Sequence, residues 1–226
     1  MPHELLKICE SWAKEIEALS TVEDRIQFFR KHLPALLLNT PLFAEILNRM
    51  IKGKPYPDIR KTEMFDNEIL LYLHPKRLFS LRLFLFGPKE FTPIHDHNSW
   101  GVTGTAFNRL TIVRYKREDD GSQEDFARIV ETQRLIMEPG DTSVTLPLDE
   151  GIHATGNATQ EPMMMVSIYG NPIRRLYVNR FDPEENRAFK LFTPRIRKRI
   201  KAENTLSSIE KNKKNFLIPH LSNDIT

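Results

Sequence analysis

Apolar residues recur at helical spacing through the first quarter of the chain. Leu5, Ile8 and Trp12 lie three to four positions apart, and Ile26 and Phe29 belong to a second run of the same kind. Such spacing places one apolar stripe along each helix, which must be buried against another layer. Residues 1–55 are therefore predicted to form a helical layer at the N-terminal end of the fold.

Local signals predict where these helices begin and break. Thr21, followed three residues later by Asp24, is predicted to cap the second helix. Pro34 predicts a break, because proline removes a backbone donor. Thr40 before Pro41 predicts the N-cap and first position of a third short helix.

Residues 56–194 change to short, alternating segments bounded by Gly, Pro, Asn and Asp, a pattern typical of strands. In the segment 79–86, three leucines face one side, and the other side carries Ser80, Arg82, Phe84 and Phe86. Eight or so such strands with close turns predict a closed or sandwiched antiparallel barrel, so the fold class is mainly β. The further strands are predicted over residues 100–107, 110–115, 126–137, 142–146 and 163–169.

The last part of the chain, residues 195–226, is a basic tail. Five of the seven residues from Arg195 to Lys201 are Lys or Arg. Such a run is typical of a solvated helix face or a loose tail. The apolar run Phe216-Leu217-Ile218 either docks onto the body or frays.

Composition bounds the class of protein. A chain of 226 residues, 40% hydrophobic and 28% charged, is ample for one domain over residues 1–226. No apolar run approaches the ~18 residues of a membrane span, and the N-terminus lacks the features of a signal peptide.

A single cysteine, Cys9, allows no internal disulfide, which favours the cytoplasm. A net charge of +3 gives no argument for nucleic acid; the expected state is a monomer or small homo-oligomer.

Histidines in two separated segments indicate the chemistry. In a strand, His95 and His97 share one face about 7 Å apart, and Asp96 takes the other face as a structural acceptor. A lone histidine in a strand is more often packed or exposed than a metal ligand. A spaced pair, joined by His153 from a run framed by Gly and Asn, favours a mononuclear metal held by three histidines.

Two motifs resemble a known family. Residues 140–157 carry Gly-x6-Pro-x3-Gly-x-His-x3-Asn, which resembles the second cupin motif. Residues 93–101 carry Pro-Ile-His-Asp-His-x2-Trp-Gly, which resembles the first motif of the type I cysteine dioxygenase family. The nearest group is the bacterial thiol dioxygenases, including 3-mercaptopropionate dioxygenases. The resemblance covers roughly residues 72–194.

The resemblance implies a cupin barrel, also called a double-stranded β-helix or jelly roll, that carries non-haem Fe(II). His95, His97 and His153 would be the iron ligands, and Tyr169 the active-site tyrosine. The enzyme would add both atoms of O₂ to a small thiol and give a sulfinic acid. Zn²⁺, Mn²⁺ or Ni²⁺ is compatible with the same three histidines.

The chain departs from the family at several positions. Ser167 stands where the family has a histidine in a Ser-x-His-x-Tyr run, and it is predicted to take over part of that role beside Tyr169. Val102 stands at the cysteine of the animal enzymes' Cys–Tyr crosslink, and the arginine that animal enzymes use for the substrate carboxylate, which aligns near Ile69, is absent. Arg82 is the candidate replacement. It either binds the acidic group of the substrate or pairs with a carboxylate of the barrel.

The remaining predicted pocket residues follow from strand faces. Phe84 and Phe86 share a face with Arg82, and Met165 shares one with Tyr169. Thr92 either lines the pocket or ends a turn. Two other functions remain open: a metal-binding cupin with hydrolytic or isomerising chemistry, and a non-catalytic sensor module.

Overall fold

Three amphipathic helices open the chain; the computed structural model describes residues 3–54 and 67–216. Each helix buries one apolar stripe, as the spacing predicts. The predicted helical layer is confirmed. Its helices are α1 (His3–Glu17), α2 (Val22–Leu37) and α3 (Thr40–Ile51).

Of the two predicted N-cap residues, one is correct and the other is displaced by one position. Thr21 caps α2 as predicted, because its side-chain oxygen accepts the Asp24 N–H at 3.0 Å. The cap of α3 is Asn39, one residue before the predicted Thr40. The Asn39 side-chain oxygen accepts the Leu42 N–H at 3.2 Å, and its Nδ2 donates to Glu4 of α1. The hydrogen bond to Glu4 connects the Asn39 side chain to a neighbouring helix, and the local sequence pattern does not predict such a contact.

The predicted break at Pro34 is wrong, because α2 continues through it to Leu37. Proline inside a helix costs about 3 kcal/mol. Leu33, Leu36 and Leu37 are all buried around it, and burial of a leucine side chain contributes about 1.5–3 kcal/mol. The packing of this turn therefore outweighs the lost hydrogen bond.

Eleven strands follow in the described residues. The predicted strand 126–137 begins at Ile129, and Phe126 makes only an isolated bridge to Arg187. Strand patterns alone do not single out Glu68–Leu73, Tyr177–Asp182 and Arg187–Phe192. The strands are β1 (Glu68–Leu73), β2 (Phe79–Phe86), β3 (Ile94–His97), β4 (Gly101–Phe107), β5 (Leu110–Arg117), β6 (Ile129–Met137), β7 (Thr142–Thr145), β8 (Leu148–Gly156), β9 (Met163–Gly170), β10 (Tyr177–Asp182) and β11 (Arg187–Phe192).

Two antiparallel sheets share these strands in an interleaved order. One sheet runs β1-β2-β9-β4-β7, and the other runs β11-β10-β3-β8-β5-β6. Strands β2 to β9 therefore distribute as two interlocked four-stranded sheets, the order of an eight-stranded jelly roll such as a cupin barrel. β1 extends one sheet at its edge, and β10 and β11 extend the other. The predicted mainly β cupin barrel with an N-terminal helical layer is confirmed.

The alternation along β2 separates two cores. Leu81 and Leu83 face outward into a core shared with the helices. Phe84 and Phe86 face the space between the two sheets, where they pack with methionines of β9. The helical layer thus covers the outer face of the five-stranded sheet and leaves the barrel interior to a separate set of side chains.

The basic tail begins as a helix. Helix α4 runs over Pro194–Phe216 and exposes its side chains between Arg195 and Lys211 almost throughout. This arrangement corresponds to the solvated-helix alternative for that stretch. Most of the apolar run at 216–218 lies outside the described residues. No helix in the described parts of the chain is long and apolar enough to cross a membrane.

We expect Phe29→Ala to lower the free energy of unfolding by about 3–5 kcal/mol, because a fully buried phenylalanine leaves a cavity. Its ring lies 5.7 Å from Trp12, 5.1 Å from Phe79 and 6.0 Å from Trp100, so it joins the helices to the barrel. Phe28→Ala is the matched control on the same helix, since Phe28 is only half-buried. Urea unfolding measures both, and equal losses would contradict this account of the interface.

Candidate metal centre

The three predicted histidines come together in the six-stranded sheet. His95 and His97 lie in β3, and His153 lies in β8, directly opposite His95 in the antiparallel register. All three are buried. Strand alternation puts His95 and His97 on the same face, and pairing brings His153 beside them.

The register between β3 and β8 is irregular at this point. His95 pairs with His153, whereas His97 pairs with Leu148, so β8 carries extra residues between the two pairs. Gly151 lies in this irregular stretch, where a Cβ would fall 1.8 Å from the carbonyl oxygen of Leu146. The glycine of the second motif is therefore required by a close backbone approach that no other residue permits.

Ring positions test whether one ion fits between the imidazoles. The ring centroids lie 4.8 Å apart for His95 and His97, 5.1 Å for His95 and His153, and 4.6 Å for His97 and His153. The Nε2 atoms of His97 and His153 are 2.9 Å apart. Two imidazole nitrogens about 2.1 Å from one metal at a right angle would lie about 3 Å apart, so this pair already has the required spacing.

The third histidine is slightly farther away. The ligand atoms of all three residues lie within 4.8 Å of one another, and two nitrogens on one ion lie at most about 4.2 Å apart. Tetrahedral spacing is about 3.4 Å, so a side-chain shift of roughly 1.5 Å would bring the third nitrogen onto the same ion. The three buried histidines could hold a metal ion, and the donor set does not choose between iron, zinc, manganese and nickel.

Burial also puts these side chains in the protonation state that a metal needs. Burial is the largest cause that lowers the pKa of His95, His97 and His153; the neighbouring imidazoles lower the pKa of His97 and His153 further. Neutral imidazoles offer a nitrogen lone pair at neutral pH. Nδ1 of His95 lies 2.8 Å from the Pro93 carbonyl oxygen, to which it donates in the tautomer whose lone pair is on Nε2.

Tyr169 faces the histidines from the opposite sheet. Its ring stacks on His97 with centroids 5.7 Å apart and planes 22° from parallel. Burial raises the pKa of the Tyr169 hydroxyl, and the hydroxyls of Ser167 and Thr103 and the charge of Arg82 partly offset this rise. The phenol therefore stays protonated at neutral pH and is available as a hydrogen-bond donor.

Ser167 works with a partner that sequence analysis missed. Its hydroxyl lies 2.8 Å from the hydroxyl of Thr103, and both residues are buried. Thr103 pairs with Ser167 directly across β4 and β9. Only the strand register could have identified this partner, because the two residues are 64 positions apart.

Arg82 makes an ion pair inside the barrel. Its Nη1 donates to the carboxylate of Glu68, and its Nε donates to the Ser80 hydroxyl at 3.3 Å. The guanidinium also lies over the Tyr169 ring, 5.5 Å from the centroid. The barrel carboxylate that was one of two alternatives for Arg82 is thus present, and a role in substrate binding stays a prediction.

The other predicted pocket residues divide into two groups. Phe84, Phe86 and Met165 pack in the apolar cluster between the sheets, next to Tyr169. The Thr92 hydroxyl accepts the Thr155 N–H at 3.0 Å, and the Thr92 N–H donates to the Thr155 carbonyl. Thr92 therefore holds the backbone of β8 close to His153, as expected of a residue that ends a turn.

We expect metal to stabilise the protein through the three histidines. Free Fe²⁺ at 100 times its dissociation constant, added under argon, should raise the free energy of unfolding by about 2.7 kcal/mol through mass action. His97→Ala should abolish this gain, whereas His32→Ala, on helix α2, should keep it. Thermal or urea unfolding with and without metal measures the effect, and an equal gain in His97→Ala would place the metal elsewhere.

Comparisons with known proteins give distant likenesses. No protein-family model matches the chain. A cupin 2 conserved barrel domain protein from Salinispora arenicola CNS-205 is similar at 18% identity and a TM-score of 0.36, over 52% of this chain and 87% of that one. One from Rhodopseudomonas palustris is similar at 9% identity and 0.38, over 52% and 67%. A DMSP lyase from Ruegeria pomeroyi DSS-3 is similar at 10% identity and 0.31, over 44% and 41%. The strand order itself, and not these weak likenesses, identifies the fold as a cupin-type jelly roll.

Proposed function

We propose that this protein is a non-haem Fe(II)-dependent thiol dioxygenase that oxidises a small thiol with an acidic group to its sulfinic acid. The observation that carries the proposal is the set of three buried neutral imidazoles that faces Tyr169 across the barrel. The motifs at residues 93–101 and 140–157 support iron and thiol chemistry over other uses of such a site. The tyrosine and its hydroxyl partners supply the polar groups on the opposite wall.

The overall reaction balances without a further reductant. A thiol and O₂ combine to one sulfinic acid, so the sulfur loses four electrons and the two oxygen atoms gain them. His95, His97 and His153 would hold Fe(II), which would bring the thiol and O₂ together and so turn an encounter of separate species into a reaction at one centre. No other redox cofactor is needed.

The chain's own residues then orient the substrate and exclude water. Phe84, Phe86 and Met165 make one side of the interior apolar, which strengthens electrostatic interactions there. The protonated Tyr169 hydroxyl can donate a hydrogen bond into the space beside the histidines. The hydroxyls of Ser167 and Thr103 orient it in place of the family's imidazole.

Arg82 is the proposed recognition group for the acidic end of the thiol. Among the described residues, the guanidinium donates hydrogen bonds only to Glu68 and Ser80. Some of its five N–H donors are therefore available for an anion. Glu68 neutralises its charge, however, and so weakens the attraction for a second carboxylate. The ion pair keeps a buried arginine stable in the absence of substrate and sets a limit on anion affinity.

A second candidate function is a metal-binding cupin with hydrolytic or isomerising chemistry on Zn²⁺, Mn²⁺ or Ni²⁺. The observation in its favour is the hydroxyl pair of Ser167 and Thr103 at the place of the family's histidine. A hydroxyl pair cannot take up a proton as an imidazole does near neutral pH. The two candidates differ in whether turnover consumes oxygen.

Oxygen uptake tests the proposal. Protein loaded anaerobically with Fe²⁺ and supplied with small thiols should consume one O₂ for each sulfinate formed, with an acidic thiol among the substrates. His97→Ala should reduce the rate to background, and His32→Ala should leave it unchanged. Metal-dependent turnover without oxygen uptake would support the second candidate, and no turnover with any metal would leave a binding module.

Opposite changes in KM are expected from the two partners of the ion pair. Arg82→Ala should raise KM for an acidic thiol and lower the free energy of unfolding by about 3–5 kcal/mol, because it leaves the buried Glu68 carboxylate without this partner. Glu68→Gln should lower KM for the same thiol, because a neutral amide no longer offsets the positive charge of Arg82. Steady-state kinetics together with urea unfolding separate the two effects. An unchanged KM in Arg82→Ala with lost stability would show that the pair is only structural.

A further inference from the structure

Asp96 lies between two of the candidate ligands and faces away from them. Its side chain is 1% exposed, on the opposite face of β3 from His95 and His97. A buried carboxylate needs donors on every side, because an unpaired buried charge is costly. The identity of those donors shows what holds this strand in place.

Four hydrogen bonds satisfy the Asp96 carboxylate. Arg175 donates to both oxygens, from Nη1 at 2.8 Å and from Nη2 at 2.6 Å. Asn179 donates to both as well, from its backbone N–H at 2.8 Å and its side-chain Nδ2 at 2.9 Å. The bidentate geometry fixes the orientation of the guanidinium as well as its position.

Arg175 also contacts the backbone beside the ligands. Its Nη2 donates to the carbonyl of His97 at 3.3 Å, and its Nε donates to the side-chain oxygen of Asn98 at 2.5 Å. Asn98 in turn donates from Nδ2 to the carbonyls of Arg175 and Tyr177. One side chain thus contacts three consecutive residues, 96 to 98, of the strand and turn that carry the His-x-His pair.

These contacts fall where the sheet itself gives least support. β3 is only four residues long, and it pairs with β10 at Ile94 and His95 alone. Its register with β8 shifts between His95 and His97. A regular ladder therefore does not fix the backbone at His97, and side-chain hydrogen bonds must do so.

The same residue ties the ligands to the strand of the tyrosine. Arg175 follows Tyr169 by six positions, in the connection between β9 and β10. Ile173, in that connection, donates its N–H to the Asn98 carbonyl at 2.7 Å. The connection between β9 and β10 is therefore hydrogen-bonded to the segment that carries the histidines. The strand of the histidines and the strand of the tyrosine are thus held by the same segment.

We propose that Arg175 is a positioning residue for the metal centre. Through Asp96 and the His97 carbonyl, it fixes the direction of the two imidazoles of β3, beyond any contribution to overall stability. The proposal rests on the metal site of the proposed function but not on its chemistry. Partners that orient metal ligands typically change metal affinity 10- to 100-fold when they are removed.

A second, partly buried ion pair at the end of β5 provides a matched control. Arg117 pairs with Asp119 at 2.8 Å, and the two side chains are 14% and 13% exposed, against 13% and 1% for Arg175 and Asp96. Arg117 also donates to a backbone carbonyl, that of Phe126. Arg117 lies at the far end of β5, three residues beyond Arg114, which pairs with His153 across β5 and β8. Its loss removes a comparable ion pair without contact to the candidate ligands.

The test compares Arg175→Lys with Arg117→Lys in the metal-free full chain. Lysine keeps the positive charge, so Asp96 is not left uncompensated, but lysine cannot make the bidentate contact. Co²⁺ titration, followed by visible absorption, should give a dissociation constant 10 to 100 times higher for Arg175→Lys and one within about threefold of the wild type for Arg117→Lys. Urea unfolding of the metal-free proteins should show similar losses of stability in the two variants.

Each outcome decides one question. Equal Co²⁺ affinity in Arg175→Lys and the wild type, with lower stability, would overturn the positioning role. Arg175→Met is a second variant that should weaken Co²⁺ at least as much wherever it folds. Wild-type protein that binds Co²⁺ but, with Fe²⁺, consumes no O₂ would overturn the dioxygenase and leave the role of Arg175 standing. Wild-type protein that binds no metal would overturn both.

Discussion

The whole site depends on three imidazoles being kept neutral and out of water. A buried polar ring is costly unless each nitrogen finds a partner. Nδ1 of His95 finds the Pro93 carbonyl, while Nε2 of His97 and of His153 face each other at 2.9 Å. In the absence of metal, one of these two nitrogens can donate its proton to the lone pair of the other. A cation instead accepts a lone pair from all three rings at once.

This requirement accounts for one irregular stretch of the backbone. The register shift between β3 and β8, the close approach at Gly151 and the positive φ of Leu148 (59°) all lie around the histidines. A non-glycine residue in the left-handed region costs of order 1–3 kcal/mol. Packing elsewhere in the barrel must compensate for that cost, and the apolar cores on both faces of the five-stranded sheet are where the burial is concentrated.

Local periodicity predicted most of the architecture and the candidate ligands. It did not predict which residues form ion pairs around the site. The alternation along β2 correctly places Phe84 inside and Leu83 outside, because strand faces are a local property. The pairs Arg82–Glu68 and Asp96–Arg175 join residues 14 and 79 positions apart. Such pairs depend on strand register and on connections, and no local pattern specifies either. The error at Pro34 has the same origin, since long-range packing decided a local question.

The two ion pairs on either side of the histidines differ in one respect that matters for function. Behind β3, the guanidinium of Arg175 contacts a carboxylate, an amide oxygen and a carbonyl, and the carboxylate it faces is 1% exposed. Four of the five N–H donors of Arg175 are thus used within the protein, which suits a residue that holds its surroundings in place. In the barrel interior, Arg82 is 22% exposed and donates to two described partners, so it still has donors for an incoming anion. On the two proposals made above, the same residue type would hold the candidate ligands in place on one side and would keep donors for an acidic substrate group on the other.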